Sequence, residues 1–292
     1  MRWLTRQRAL LLQLFLALAS LPTQAAVTTQ DDLGHTITLP TPAQRIISLA
    51  PHLTEDLFAI GAGGKIVGAV NYSDYPAAAN AIPRVGGYNG FDLERIRALK
   101  PDLIVAWKSG NPPRQLAQLD TLGIPVFYDD ARTLGDVPTV LERLGMLTGN
   151  TVAARAAADT FRQRIMALAK YSKRRPVRVF YQVWDRPLMT INRQQIISDA
   201  LFLCGAVNVF GDLPALTPTV DDEAVLAANP EMIATSGDAG TQALAHWQSW
   251  PNLAAVKNKQ LVILPRDVLV RMGPRLAEGT EALCQAVDKA RQ

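Results

Sequence analysis

The stretch Leu93–Trp107, LERIRALKPDLIVAW, is met again in altered form at Asp222–Ser236, DEAVLAANPEMIATS. Laid over one another, the two share Glu94 with Glu223, Ala98 with Ala227, Pro101 with Pro230 and Ile104 with Ile233. Each copy reads as a helix stopped by a proline and followed by a strand. Proline cannot continue a helix, and the apolar, partly β-branched run behind it suits a buried strand. Further matches lie on either side. LFAIGAGGKIVG (57–68) resembles LFLCGAVNVFG (201–211), and IPVFYDD (124–130) has a counterpart in LVILPRD (261–267). The spacing between copies is uneven, so loops of different length separate them. One chain therefore carries two related α/β units.

The runs RIISLAP, KIVGAV, LIVAW and IPVFYDD alternate with helical stretches such as TEDLFAIGAG, for which Thr54 is the N-cap candidate. That rhythm predicts a largely parallel sheet. Ahead of it, DDLGHTITLP reads as a small hairpin turning at Leu33–Gly34. The rhythm pauses over Asn150–Lys173, NTVAARAAADTFRQRIMALAKYSK, which has no Gly or Pro and is rich in strong helix formers. Such a helix would be roughly 35 Å long. After RRP the strands resume with VRVFYQV. The expected organisation is an N-terminal lobe over 26–149, a connecting helix over 150–173 and a C-terminal lobe over 174–292, with a cleft between the lobes.

Residues 1–25 differ in kind. MRWLTRQR carries three arginines, ALLLQLFLALA is a short apolar run, and LPTQA ends in small residues with Thr23 and Ala25 placed for cleavage. This is the layout of a secretory signal peptide. The apolar run is about half of the ~20 residues a membrane span requires. Three charges of the formal net +4 belong to this leader, so no basic excess points to nucleic acid. With 48% hydrophobic and 19% charged residues, the chain has the composition of a soluble protein long enough for two cores. Cys204 and Cys284 are the only cysteines. In an exported protein they read as one disulfide. A cysteine–histidine metal site is the rival, with no CxxC or clustered histidine behind it.

No GxSxG, HExxH or GxxxxGK[ST] pattern is present. GAGGKIVG follows a helix and precedes a strand, the reverse of a phosphate loop, and its glycines read as a helix end and turn. His35, His52 and His246 are scattered, and a zinc site needs several convergent ligands. His52 lies past the first strand, where ligands bind in open α/β sheets. It reads first as an exposed or capping residue and second as a contact to a metal macrocycle, cobalt included. The aromatics say more. Tyr72 and Tyr75 in NYSDYP, Tyr88 in GGYNG, Trp107 and Trp184 all fall at strand ends or in the loops beyond. Singly each is packing; converging on one cleft they suit a large, flat, largely uncharged ligand. Asp267 and Arg271 could face that ligand from the second lobe, or simply pair with each other at i,i+4. Glu94 and Glu223 fall near their helix N-termini, where a carboxylate gains up to ~1 kcal/mol. Repeated in two related lobes, they also suit a partner with two equivalent basic sites.

RIISLAPHLTE, NYSDYP, GGYNG, DLERIRALKPDLIVAW with its following SGN, and RDVLVRMGPR together resemble the periplasmic cobalamin-binding proteins of cobalamin ABC importers, within the helix-linked (class III) periplasmic binding proteins. The similarity runs from about Arg45 to the C-terminus. It implies two similar α/β lobes bridged by one long helix, with little hinge motion. It implies a periplasmic monomer that performs no chemistry, needs no cofactor and carries cobalamin (vitamin B12) as its transported ligand. Tyr72, Tyr88 and Trp107 would line the cleft from the first lobe, with Pro51 and Thr54 in its first binding loop. Asp267 and Arg271 would hydrogen-bond the corrin amides from the second. Cys204 and Cys284 match the family's disulfide pair. Glu94 and Glu223 match acids that dock into arginine pockets on the two membrane subunits of the permease. Two positions depart: Tyr88 stands where a tryptophan is expected, and DLPALTPTV lacks one near Leu216. The same fold also serves haem and ferric siderophores; haem would take Tyr72, Tyr88 or His52 as axial ligand. An exported α/β hydrolase is the rival from another class, and no Ser–His–acid set can be named for it.

Overall fold

The computed structural model describes residues 26–237 and 240–292; the expected leader, residues 1–25, lies outside them. The two quoted stretches fold alike. Asp92 accepts a hydrogen bond from the Arg95 N–H (2.9 Å) and caps the helix Leu93–Ala98. Asp221 does the same for the Ala224 N–H (2.8 Å) and the helix Asp222–Ala228. Each cap satisfies a donor that the first helical turn leaves unpaired. Each unit then turns through a left-handed residue directly before its proline, Lys100 (φ 48°) and Asn229 (φ 42°). A further equivalence is visible only in three dimensions. Arg45 donates to the Leu99 carbonyl (2.6 Å) while Asp102 accepts its backbone N–H (2.9 Å). Arg178 donates to the Ala228 carbonyl (2.7 Å) while Glu231 accepts its backbone N–H (2.9 Å). In both lobes one arginine near the foot of the first strand ties down the end of the helix.

The N-lobe sheet runs, in space, Ile66–Ala69, Ile46–Ser48, Leu103–Trp107, Val126–Asp129, all parallel. The C-lobe sheet runs Ala206–Asn208, Val177–Gln182, Met232–Ser236, Leu261–Leu264, also all parallel. In chain order both read second, first, third, fourth. The fold is therefore two similar α/β lobes with mainly parallel sheets, as the repeats imply. Alternation along each strand assigns its two faces. Ile46, Leu103, Val105, Val179, Met232 and Ala234 enter one core shared by both lobes. Ile47, Ile104 and Ala106 fill a separate N-lobe core, and Phe180, Ile233 and Trp247 a separate C-lobe core.

The bridging helix is Thr151–Leu168, closing in a 3-10 turn at Ala169–Tyr171. It is shorter at its C-terminal end than the 150–173 expected, and it is not a free strut. Ala154, Ala158 and Phe161 are buried in the shared core. Gly145, in the helix Asp136–Thr148, lets it approach closely: a Cβ there would lie 2.2 Å from the Ala154 Cβ. The C-terminal helix Leu276–Lys289 packs on the bridge as well. The Cys204–Cys284 disulfide ties that helix to the end of the helix Ile196–Leu203. Among the described residues no helix is long and apolar enough to cross a membrane.

A second connection joins the lobes. Beyond the last strand, residues 267–275 cross over and pair with the N-lobe helix Pro51–Ala59. On that helix Asp56 is buried, and its Oδ1 has no hydrogen-bond partner. Burial first, then the neighbouring Asp129 and Glu55, push its carboxyl well above the usual carboxylate range. The unfolded chain releases this proton near the ordinary pKa of about 4 while the folded protein keeps it, so folding stability falls as pH rises above that value. Asp56→Asn removes the loss. Its thermal midpoint should gain several degrees on the wild type between about pH 5 and pH 7. Parallel curves for the two proteins would contradict a neutral Asp56.

Candidate ligand-binding cleft

Residues at the carboxyl ends of both sheets line one cleft, of about 800 Å³ including its open mouth. This is where open α/β sheets hold ligands. Trp107, Ser109, Ala131 and Arg132 form the N-lobe wall; Tyr181, Ile191, Gln195 and Ser236 form the opposite one. Val270 and Met272 of the crossing segment close one side. Leu216 and Thr217 also line it, so DLPALTPTV faces the ligand space with an aliphatic side chain where a tryptophan was expected. The walls are close to neutral. The Tyr181 hydroxyl donates to Ser236 Oγ (2.9 Å), and burial pushes the phenol up to about 12. Among the described residues Arg132 is the one charged side chain on the lining, and its Nε and Nη2 both donate to Asp130 Oδ2 (3.1 and 2.5 Å). Sequence reasoning missed Arg132 and Gln195, because nothing in their local sequence marks them as facing the cleft.

Trp107 is half-buried and held from three sides. His52 meets its ring edge-on, with centroids 5.3 Å apart at 89°. Asn111 accepts the Trp107 backbone N–H through Oδ1 (2.8 Å) and donates to the Leu49 carbonyl (2.8 Å), which fixes the residue's main chain. Gly110 leaves room for the indole; a Cβ there would fall 1.9 Å from the ring. Gly110→Ala must therefore displace the ring, at a cost of about 1–3 kcal/mol in stability, and should weaken ligand binding. Calorimetric titration checks this, and an unchanged affinity would take Trp107 out of the binding surface.

Three expected contacts do not reach the cleft. His52 is 2% exposed, and its Nε2 lies 2.8 Å from Asp129 Oδ2. It positions Trp107 from behind instead of meeting a metal. Thr54 is fully buried in the body of its helix, which starts at Pro51 with Ala50 as the cap position. Its hydroxyl bonds Ser48 Oγ (2.8 Å) and Ser73 Oγ (3.1 Å). Arg271 is 6% exposed and is consumed by acids of the other lobe: Nη1 donates to Glu55 Oε1 and Asp74 Oδ1, both at 2.8 Å, with Asp267 3.3 Å from Nη2. Arg275 adds two bonds to Glu55 (2.8 and 2.6 Å) and lies 3.9 Å over the Tyr75 ring. Arg271 is thus part of a clasp between the lobes. Glu55 is 216 residues away in sequence, which is why the arginine reads there as a local partner of Asp267.

The remaining positions are accessible. Pro51 is half-buried at the first helical position, where a missing N–H costs nothing. Asp267 keeps partial exposure on left-handed backbone (φ 67°). Tyr72, Tyr88 and Trp184 are exposed (68, 84 and 60%) and outside the enclosed part of the cleft, the tyrosines on loops and Trp184 in the short strand Trp184–Asp185 that pairs with Leu188–Met189. Trp184 donates through Nε1 to the Arg186 carbonyl (3.0 Å). Glu94 and Glu223 are both exposed, each in the first turn of its helix, and neither has an ion-pair partner among the described residues. Among the described residues no cluster of His, Cys, Asp or Glu could hold a metal ion.

Two lobes with one strand order, a joining helix and a near-neutral cleft at the facing strand ends define a solute-binding protein. Residues 46–268 match the sequence profile of the periplasmic binding proteins, and the chain belongs to that family. It is 41% identical over 248 residues to the vitamin B12-binding protein of Vibrio cholerae, covering 84% of this chain and 89% of the relative. The crystal structure of the periplasmic vitamin B12-binding protein of Vibrio cholerae matches with a TM-score of 0.80 at 39% identity, covering 86% of this chain and 99% of that one. A periplasmic haem-binding protein from Pseudomonas aeruginosa matches at a TM-score of 0.73 and 27% identity, covering 84% and 92%.

Proposed function

We propose that this chain captures cobalamin in its interlobe cleft and delivers it to an ABC importer, working in the periplasm as a monomer after export by the leader 1–25. The observation that carries the ligand is the cleft's charge. Among the described residues its one lining cation, Arg132, is already paired, and the other residues on its walls are apolar or neutral and polar. A corrin edged with amides suits such walls. Haem suits them less well, since its carboxylates call for free cations. Arg271 is consumed by Glu55 and Asp74, and His52 is buried against Asp129. The 41% identity to a vitamin B12-binding protein supports the same reading.

In this account Trp107, Tyr72, Tyr88 and Pro51 meet the ligand from the N-lobe, and Asp267 and Trp184 from the other side. Residues 26–149 and 174–292 act as the two lobes, with 150–173 as the bridge. Glu94 and Glu223 are the docking acids, one per permease subunit. Mixed with cyanocobalamin, haem and ferrichrome together and then desalted, the protein should elute carrying the cobalamin spectrum alone. Elution with the haem Soret band instead would transfer the site to haem.

A further inference from the structure

The two docking faces share a backbone and differ in charge. The caps, the left-handed stops and the arginine ties repeat from lobe to lobe, so aligned positions occupy equivalent places. Around Glu94 those positions hold Leu93, Arg95, Arg97 and Lys100; around Glu223 they hold Asp222, Ala224, Leu226 and Asn229. Arg95, Arg97 and Lys100 are exposed, and among the described residues no acid pairs with them. Asp222 lies 3.2 Å from His246. The N-lobe glutamate therefore projects from a basic face, and the C-lobe glutamate from one whose aligned positions hold no base and the single acid Asp222.

We propose that docking is electrostatically asymmetric: a membrane partner that offers the same cationic pocket to both lobes is gripped mainly through Glu223, while the cations around Glu94 weaken its half of the contact. This rests on the reading of both glutamates as docking acids. A symmetric partner cannot match both faces equally, because a cationic pocket meets three cations at the aligned positions of one and none at those of the other. A single charge roughly 10 Å away in water changes affinity about twofold, so the differing positions together amount to on the order of tenfold before salt screens them. The consequence is an orientation rule. Since opposed charge steers encounter, the C-lobe engages first and the N-lobe settles second.

The test uses the purified protein and the cobalamin permease of the same organism in nanodiscs, at about 50 mM and 300 mM salt. At low salt Glu223→Ala should weaken docking about fivefold more than Glu94→Ala, and the gap should narrow at high salt. Arg95→Ala with Arg97→Leu and Lys100→Asn, which gives the N-lobe the residues of the other copy, should tighten docking severalfold at low salt. Equal losses from the two single variants, with no gain from the triple one, overturn the asymmetry. Normal docking by Glu94→Ala with Glu223→Ala overturns the docking reading beneath it. The two failures are therefore distinguishable.

Discussion

Glu94→Ala combined with Glu223→Ala stops cobalamin import while cyanocobalamin affinity stays at the wild-type value. Both carboxylates are exposed, have no ion-pair partner among the described residues, and sit in the first turns of their helices. The strands that follow those helices end in the cleft at Trp107 and Ser236, and neither glutamate is among the residues that line it. Nothing in the fold needs the two side chains beyond a weak dipole contribution, so stability should change by less than about 1 kcal/mol. Loss of docking is a different matter, since each charge would be desolvated against a cation and its removal leaves that cation buried alone, a cost of about 2–5 kcal/mol per site. Uptake by cells lacking the native protein, measured beside the solution affinity, separates the two effects. A double variant that imports at the normal rate would remove both glutamates from the docking surface.

Trp107→Ala gives the largest expected loss of ligand affinity, roughly 1–3 kcal/mol, or about 5- to 150-fold. The ring is fixed before ligand arrives by His52 and the close space at Gly110, on a backbone that Asn111 holds, so little ordering cost attends its use. Tyr72, Tyr88 and Trp184 are exposed and unsupported by comparison, and their single alanine variants should each cost less. A Trp107→Ala protein that binds cyanocobalamin as the wild type does would show the ligand seated elsewhere.

Much of this was legible in the sequence because it is local. A proline after a short helix and an apolar run after the proline are read within fifteen residues, and the repeat of that unit predicts two lobes of one topology. Glu94 and Glu223 are legible for the same reason. What escaped is what folding brings together from afar. The equivalence of Arg45 and Arg178 lies in the carbonyls they reach, and the residues around them, RIISLAP and VRVFYQV, align poorly. His52 read as a possible macrocycle contact until Asp129 appeared beside it. Arg271 and Arg275 sit in the quoted RMGPR, but only the crossing of that segment to Glu55 turns them into an interlobe clasp. The shared core has the same character: Ala154 and Ala158 give no sign in the helix sequence that both lobes meet there. That core, the clasp and the bridging helix together predict lobes that keep their spacing when ligand binds.

Calorimetric titration of the purified protein with cyanocobalamin, with haem and ferrichrome titrated in parallel, decides which solute the cleft takes. The account predicts one site of submicromolar affinity for cyanocobalamin and no saturable heat from the other two. Silence with cyanocobalamin and a saturable isotherm with haem or ferrichrome would contradict it, leaving a periplasmic binding protein whose near-neutral cleft serves another solute.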